Sequence, residues 1–81
     1  MAKYDPLKKH LRSQSQSSVS MSFSEIEELL GAKLPLSART YVEWWANGVS
    51  LPLVQQKAWL DAGFFVDGLN IAHETVTFIR R

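Results

Sequence analysis

The chain of 81 residues contains no cysteine, only two histidines and no long apolar run. The absence of cysteine excludes disulfides, thiolate catalysis and cysteine-ligated zinc, and it favours a reducing compartment. No apolar stretch approaches the roughly 20 residues that span a bilayer. The polar start also lacks the apolar segment of a secretory signal. We therefore expect a cytoplasmic protein with no membrane partner.

The net charge is only +1, which predicts no strong general attraction to nucleic acid. The charge is uneven, because residues 1–12 are basic and three glutamates follow within residues 25–28. A chain of this length has room for one small core. With three Trp, four Phe and two Tyr, that core is expected to be rich in aromatic side chains.

Three segments follow one another along the chain. Tyr4, Leu7 and Leu11 lie at helical spacing, so residues 1–12 are predicted to form an N-terminal helix. Residues 13–18 consist of serine and glutamine, which is typical of a flexible linker. Residues 19–81 are predicted to form a single α+β domain.

The first part of that domain carries clear local signals. Val19 and Met21 alternate with serine, which predicts a short strand. Ser22 and Glu25 have the spacing of a capping box at the start of a helix. Gly31 is the residue type that ends a helix in the left-handed conformation.

A second helix is predicted from Ala38 to Ala46, with Ser37 as its cap and Asn47-Gly48 as its end. Its buried face is predicted to consist of Ala38, Tyr41, Val42 and Trp45. Since adjacent helical residues point about 100° apart, Trp44 cannot share that face. Trp44 is therefore a large aromatic side chain without an assigned place in the core.

The last part changes from helical to strand periodicity. Pro52 is predicted to open a third short helix, whose inward residues are Val54, Ala58 and Trp59. Alternation begins at Phe64, changes phase at Gly68, which predicts a bulge, and resumes after a turn at 73–74. The predicted fold is a small winged-helix-like α+β domain: three to four helices with a three-stranded antiparallel sheet that ends in a C-terminal hairpin.

The order of elements resembles a winged helix-turn-helix, in which Ser37–Asn47 takes the place of the recognition helix. An extra helix before the hairpin departs from that pattern, and Arg39 is the only base on the candidate recognition helix. Order alone implies a fold and not an activity.

A string of spaced residues resembles a family of small bacterial or phage domains of unknown function. The matching positions are Ser22-Phe23-x-x-Ile26-Glu27-x-x-Leu30-Gly31, Leu34-Pro35-x-Ser37-Ala38-Arg39, Trp44-Trp45-x-Asn47, Ala58-Trp59-Leu60-x-Ala62-Gly63 and Val76-x-Phe78-x-Arg80. The resemblance implies a context of DNA handling or phage defence and carries no catalytic residue. Members are often richer in lysine and arginine near the double tryptophan, where this chain has a largely apolar segment at 48–53.

No catalytic or metal-binding pattern is present, so we expect a protein that is not an enzyme and needs no cofactor. His10 and His73 lie in different predicted elements, and neither has a partner at ligand spacing. The glutamates of residues 25–28 have the positions of helix-capping and surface charges.

Six residues form a candidate site for nucleic acid or another partner: Lys33, Ser37, Arg39, Trp44, Asn47 and Lys57. Arginine pairs with phosphate or guanine, asparagine reads adenine, and an exposed tryptophan stacks on bases. An interpretation as scaffold has equal weight: Arg39 pairs with Glu43, Trp44 packs under the first helix, and Asn47 caps the second.

Protein binding is the alternative function. Val49, Leu51 and Leu53 form an apolar loop, and an exposed tryptophan or arginine is a common centre of protein interfaces. A phage-encoded inhibitor of a bacterial defence complex would have these features. A homodimer through an exposed strand edge is a further assembly to consider. The topology and the family context place nucleic-acid binding first.

Overall fold

The computed structural model describes residues 3–48 and 53–81. Within these ranges the elements are α1 (Asp5–Arg12), β1 (Ser18–Ser22), α2 (Phe23–Leu30), α3 (Leu36–Thr40), a 3₁₀ segment (Val42–Trp45), α4 (Val54–Leu60), β2 (Phe64–Asn70) and β3 (Thr75–Arg80). The predicted α+β class, with three to four helices and a three-stranded antiparallel sheet that ends in a C-terminal hairpin, is confirmed, and the described residues form four α-helices. Each helix in these ranges is too short or too polar to serve as a membrane span.

The sheet has the strand order β1-β3-β2, so β1 and β2 are its two edges. β2 and β3 form the hairpin, and their register shifts between Val66 and Gly68, which confirms the predicted bulge. The inner face contributes buried side chains from all three strands: Val19, Met21, Phe64, Val76 and Phe78. Packing this face against the helices encloses the core.

Local signals fix the start of the domain as the sequence indicates. The Ser22 hydroxyl accepts a hydrogen bond from the Glu25 amide (3.0 Å), and the Glu25 carboxylate accepts one from the Ser22 amide (2.8 Å). Gly31 has φ 71°, the left-handed conformation that closes α2. The capping box and the glycine stop are therefore confirmed.

An aromatic column forms the centre of the core. Phe23 stacks on Trp45 (ring centroids 5.0 Å apart), Trp45 on Trp59 (5.9 Å), and Trp59 contacts Phe78 (5.6 Å). These four rings are between 0 and 1% exposed. The buried stripe of α1 belongs to the same core: Tyr4, Leu7 and Leu11. Burial of each such side chain contributes about 1.5–3 kcal/mol.

The prediction of a helix from Ala38 to Ala46 is wrong in both of its bounds. α3 begins at Leu36 with Pro35 at the N-cap, so Ser37 lies inside the helix and does not cap it. The chain leaves helical geometry at Tyr41 (φ −118°, ψ 124°). The carbonyl of Ala38 accepts instead from the indole N–H of Trp45 (2.8 Å), a bond that a continuous helix would prevent.

This break also changes which apolar side chains are buried. Tyr41 and Val42, which were predicted to be core residues, are exposed because the segment rotates away from the helical face. Val54 was predicted to point inward and is also exposed, since Gln55 and Gln56 occupy the inward positions of α4. Pro52, which was predicted to open this helix, lies outside the described residues.

Candidate functional site

Arg39 connects three parts of the fold. Its Nη1 atom donates to Glu27 Oε2 on α2 (2.7 Å), and its Nε atom donates to Glu74 Oε2 in the β2–β3 turn (3.1 Å). The guanidinium also lies 5.8 Å from the ring centre of Phe23. The hydrogen bond to Glu27 is the main cause that raises the pKa of Arg39. Two carboxylates therefore neutralise the charge that was expected to meet phosphate.

Glu27 is the acceptor at the centre of this arrangement. Its Oε2 atom also accepts from the amide of Leu34 (2.8 Å), which ties the turn after α2 to the helix. The hydrogen bond from Arg39, followed by that from Leu34, lowers the pKa of Glu27 from 4.5 to about 2. The carboxylate is therefore ionised throughout the neutral range and holds α3 against α2.

Trp44 packs on the aromatic core and under α1. Its ring meets Tyr4 edge-on at 5.9 Å, Trp45 edge-on at 4.7 Å and Trp59 at 6.4 Å. The side chain is half-buried. Of the two interpretations of Trp44, the structure shows the one in which it packs under the first helix.

The Asn47 side chain forms hydrogen bonds with the backbone of β2 at the edge that does not pair with β3. Its Nδ2 atom donates to the carbonyl of Val66 (2.9 Å), and its Oδ1 atom accepts from the amide of Val66 (2.8 Å). The same oxygen accepts from the indole N–H of the buried Trp59 (3.2 Å). These three hydrogen bonds, all to described residues, join parts of the scaffold.

Gln55 and Gln56 are structural residues that the sequence reasoning missed. Gln55 donates to the carbonyl of Trp44 (3.1 Å), and Gln56 donates to that of Glu43 (3.3 Å). The Gln56 side chain also accepts from the amide of Leu53 (2.9 Å). A glutamine three residues after the start of a helix is a capping signal, and it could have indicated Gln56. Together these bonds hold the 3₁₀ segment against α4.

No single set of contacts among the described residues joins all six predicted site residues. Lys33 and Arg39 lie near Glu27, whose carboxylate experiences the charge of both. Trp44 and Asn47 both contact Trp59. Lys57 is exposed on α4, close to α1. Ser37 is a half-buried residue inside α3.

A set of exposed apolar side chains lies between α3 and the start of α4. The most exposed large apolar residues in the described ranges are Leu36 (79%), Tyr41 (58%), Val42 (58%), Leu53 (54%) and Val54 (67%). We call these five residues the apolar surface. The hydrogen bonds of the two glutamines join the 3₁₀ segment, which contains Val42, to α4, which begins at Val54. Of the predicted apolar loop, Val49 and Leu51 lie outside the described residues.

The described part of the chain holds no group of three or more histidines, aspartates or glutamates placed to bind a metal ion.

The chain belongs to a family described as a domain of unknown function (DUF7662), whose model matches residues 4–81. This finding confirms the resemblance to a family of small domains without an assigned function. The matched range includes α1 as well as the residues that follow it. No curated protein and no solved structure matches the chain.

Proposed function

We propose that this domain is a non-enzymatic binding module that docks a partner protein on the apolar surface. The observation that carries the proposal is that five large apolar side chains, each more than half exposed, all belong to the stretch of chain from residue 36 to residue 54. Single exposed apolar residues are ordinary, whereas a group of them is typical of an interaction site. Tyrosine is one of the residue types that most often contribute strongly to binding at protein interfaces.

The backbone beneath the apolar surface is held in place before a partner arrives. The carbonyls of Glu43 and Trp44 are bound by glutamine side chains from α4. Trp45, which follows Tyr41 and Val42, is anchored in the core by its indole hydrogen bond. A surface that is already ordered loses less conformational entropy on binding.

Nucleic-acid binding is the second candidate. It is supported by the strand order β1-β3-β2 with a C-terminal hairpin, as in a winged helix, and by the exposed Lys33 and Lys57. The side chains expected to read bases or stack on them are Arg39, Trp44 and Asn47, and each is engaged in scaffold contacts. Because of this engagement and the low net charge, we favour a protein partner over nucleic acid. The lack of cysteine suits a cytoplasmic role, and a defence or DNA-handling complex is one source of such a partner.

Capture from a lysate of the source cells tests the proposal when it compares matched variants. The variant Leu36→Ser/Val42→Ser removes apolar contact, whereas Asp67→Ser/Ala72→Ser changes two exposed residues elsewhere. We expect the wild type and the control to retain the same protein after nuclease treatment and at about 0.5 M salt, where exposed charges are screened. The first variant should lose it. Equal capture by all three chains would refute docking on the apolar surface.

Fluorescence anisotropy with short labelled single- and double-stranded DNA distinguishes the second candidate. Nucleic-acid binding should be saturable and should weaken steeply as salt rises, because phosphate contacts release counterions. We expect no saturable binding at about 0.15 M salt. Saturable, salt-dependent binding that Lys33→Ala/Lys57→Ala weakens would make nucleic acid the partner instead.

A further inference from the structure

The two edges of the sheet differ in what covers them. Asn47 occupies the free edge of β2 by bonding both backbone groups of Val66. β1 pairs with β3 along one side, and its other side is also an edge. An uncovered strand edge presents unpaired amides and carbonyls that another strand can bind.

The register identifies the backbone groups of β1 that point away from the sheet. The Arg80 amide donates to the Ser17 carbonyl, and the Phe23 amide donates to the Glu74 carbonyl, both at 2.8 Å. Hydrogen-bonded pairs alternate along an antiparallel ladder. The backbone amides and carbonyls of Val19 and Met21 therefore also point toward β3. The amides and carbonyls of Ser18 and Ser20 therefore point outward, and no other described residue pairs with them. The Ser22 amide is occupied by Glu25.

A groove runs beside this edge, between β1 and the helices α1 and α2. Its volume is about 690 Å³, within the usual range for a ligand site. The residues that line it beyond the strand are His10, Gln14, Gln16, Glu25, Glu28 and Leu29. The five residues of β1 extend over about 17 Å, which matches an extended peptide of about five residues.

The charges of the groove select the occupant. Glu25 and Glu28 contribute two carboxylates, and no lysine or arginine is among its lining residues, although the nearby Arg80 donates to the carbonyls of Gln14 and Gln16. A second copy of the chain, paired through β1 about a two-fold axis, would bring a second pair of these carboxylates to the same interface. A strand that carries lysine or arginine would instead be attracted by these carboxylates.

We propose that the outer edge of β1 binds an extended basic peptide segment of a partner protein by strand addition. The peptide backbone pairs with Ser18 and Ser20, as in other complexes formed at a free sheet edge. Because side chains alternate along a strand, every second peptide residue faces the groove and the next faces the hydroxyl side with Ser20 and Thr77. Lysine or arginine at two successive inward positions meets Glu25 and Glu28. This surface is separate from the apolar surface, and either site can fail its test without the other.

A fluorescent heptapeptide of alternating lysine and valine is the probe, and the same peptide with glutamate in place of lysine is its control. Anisotropy is measured with the wild type and with Ser20→Pro, Ser20→Ala and Glu28→Gln. Proline removes an outward amide that makes no bond to β3, and edge strands tolerate such a change. Alanine keeps the amide and removes only the hydroxyl that contacts Thr77.

We expect saturable binding of the lysine peptide, at least tenfold weaker binding by Ser20→Pro than by Ser20→Ala, and weaker binding by Glu28→Gln. The glutamate peptide should not bind. Thermal melts of all variants identify any loss of binding that comes from unfolding. If Ser20→Pro is unfolded, the test rests on Glu28→Gln, because Glu28 is exposed on α2 and its replacement should leave the fold intact. Absence of binding by the wild type, equal binding of both peptides, or unchanged binding by Ser20→Pro would overturn the proposal. A wild-type dimer in sedimentation that Ser20→Pro dissociates would overturn it in favour of a second copy.

Discussion

Replacement of Asn47 by alanine tests whether this residue is scaffold or a reader of bases. The change removes three hydrogen bonds, two with the backbone of Val66 and one with the indole of Trp59. Trp59 is 0% exposed, so its indole N–H has no contact with solvent in the folded domain. A buried hydrogen bond contributes about 1 kcal/mol, so the loss should be about 3 kcal/mol. In a domain of this size that corresponds to a fall of roughly 12–24 °C in Tm.

Urea unfolding followed by circular dichroism measures the loss, and a thermal melt checks it. Asn70→Ala is the matched control, because Asn70 is exposed and accepts a single bond from the His73 amide (3.0 Å). We expect the control to lose about 1 kcal/mol or less. If Asn47→Ala lowered the free energy of unfolding no more than Asn70→Ala, the bonds of Asn47 to β2 would not stabilise the fold. Asn47 would then again be a candidate binding residue.

Three further predictions concern the core, the acid range and a helix end. Trp44→Ala loses contacts with three neighbouring rings and should cost about 2 kcal/mol in urea unfolding; a loss below about 0.5 kcal/mol would make it a surface residue. The pKa of Glu27 is lower in the folded state, so its contribution is present above pH 4.5 and is lost as pH falls toward 2. Urea unfolding at pH 6 and pH 3 should therefore show a smaller pH effect in Glu27→Gln than in the wild type, and an equal effect would refute this assignment. Gly31→Ala forces a side chain into φ 71° and should cost about 1 kcal/mol in a thermal melt, whereas Ala32→Ser, at the next exposed position, should be nearly neutral.

The parts of the fold that the sequence predicts correctly depend on short-range signals. The capping box at Ser22 and the glycine stop at Gly31 each act within a few residues. The alternation around Val19 and the phase change at Gly68 set the sheet faces and the bulge. Such signals can be read without knowledge of what packs against them.

The break at Tyr41 could not be read in this way, because its cause is tertiary. The apolar residues from Ala38 to Trp45 have helical spacing, and periodicity therefore predicts one continuous helix. The structure instead places Trp45 in the aromatic column, where its indole bonds the carbonyl of Ala38. That arrangement turns Val42 outward and creates part of the apolar surface.

The sequence indicated which residue types could form a candidate site, but it did not indicate which partners these residues contact. Arg39 was expected to be free for phosphate or paired within its own helix with Glu43. Its partners are Glu27 and Glu74, which lie 12 and 35 residues away in the sequence. Local sequence patterns do not indicate ion pairs between residues so far apart in the sequence. The neutralisation of the Arg39 charge is therefore visible only in the folded chain.

The affinity of the captured partner for matched variants tests the central claim most directly, namely that this domain binds a protein through its apolar surface. Isothermal titration would compare the wild type, Leu36→Ser/Val42→Ser and the control Asp67→Ser/Ala72→Ser. We predict that the first variant binds at least tenfold more weakly, a loss of about 1.4 kcal/mol or more, while the control binds like the wild type. Equal affinity of all three chains for that partner would contradict the claim.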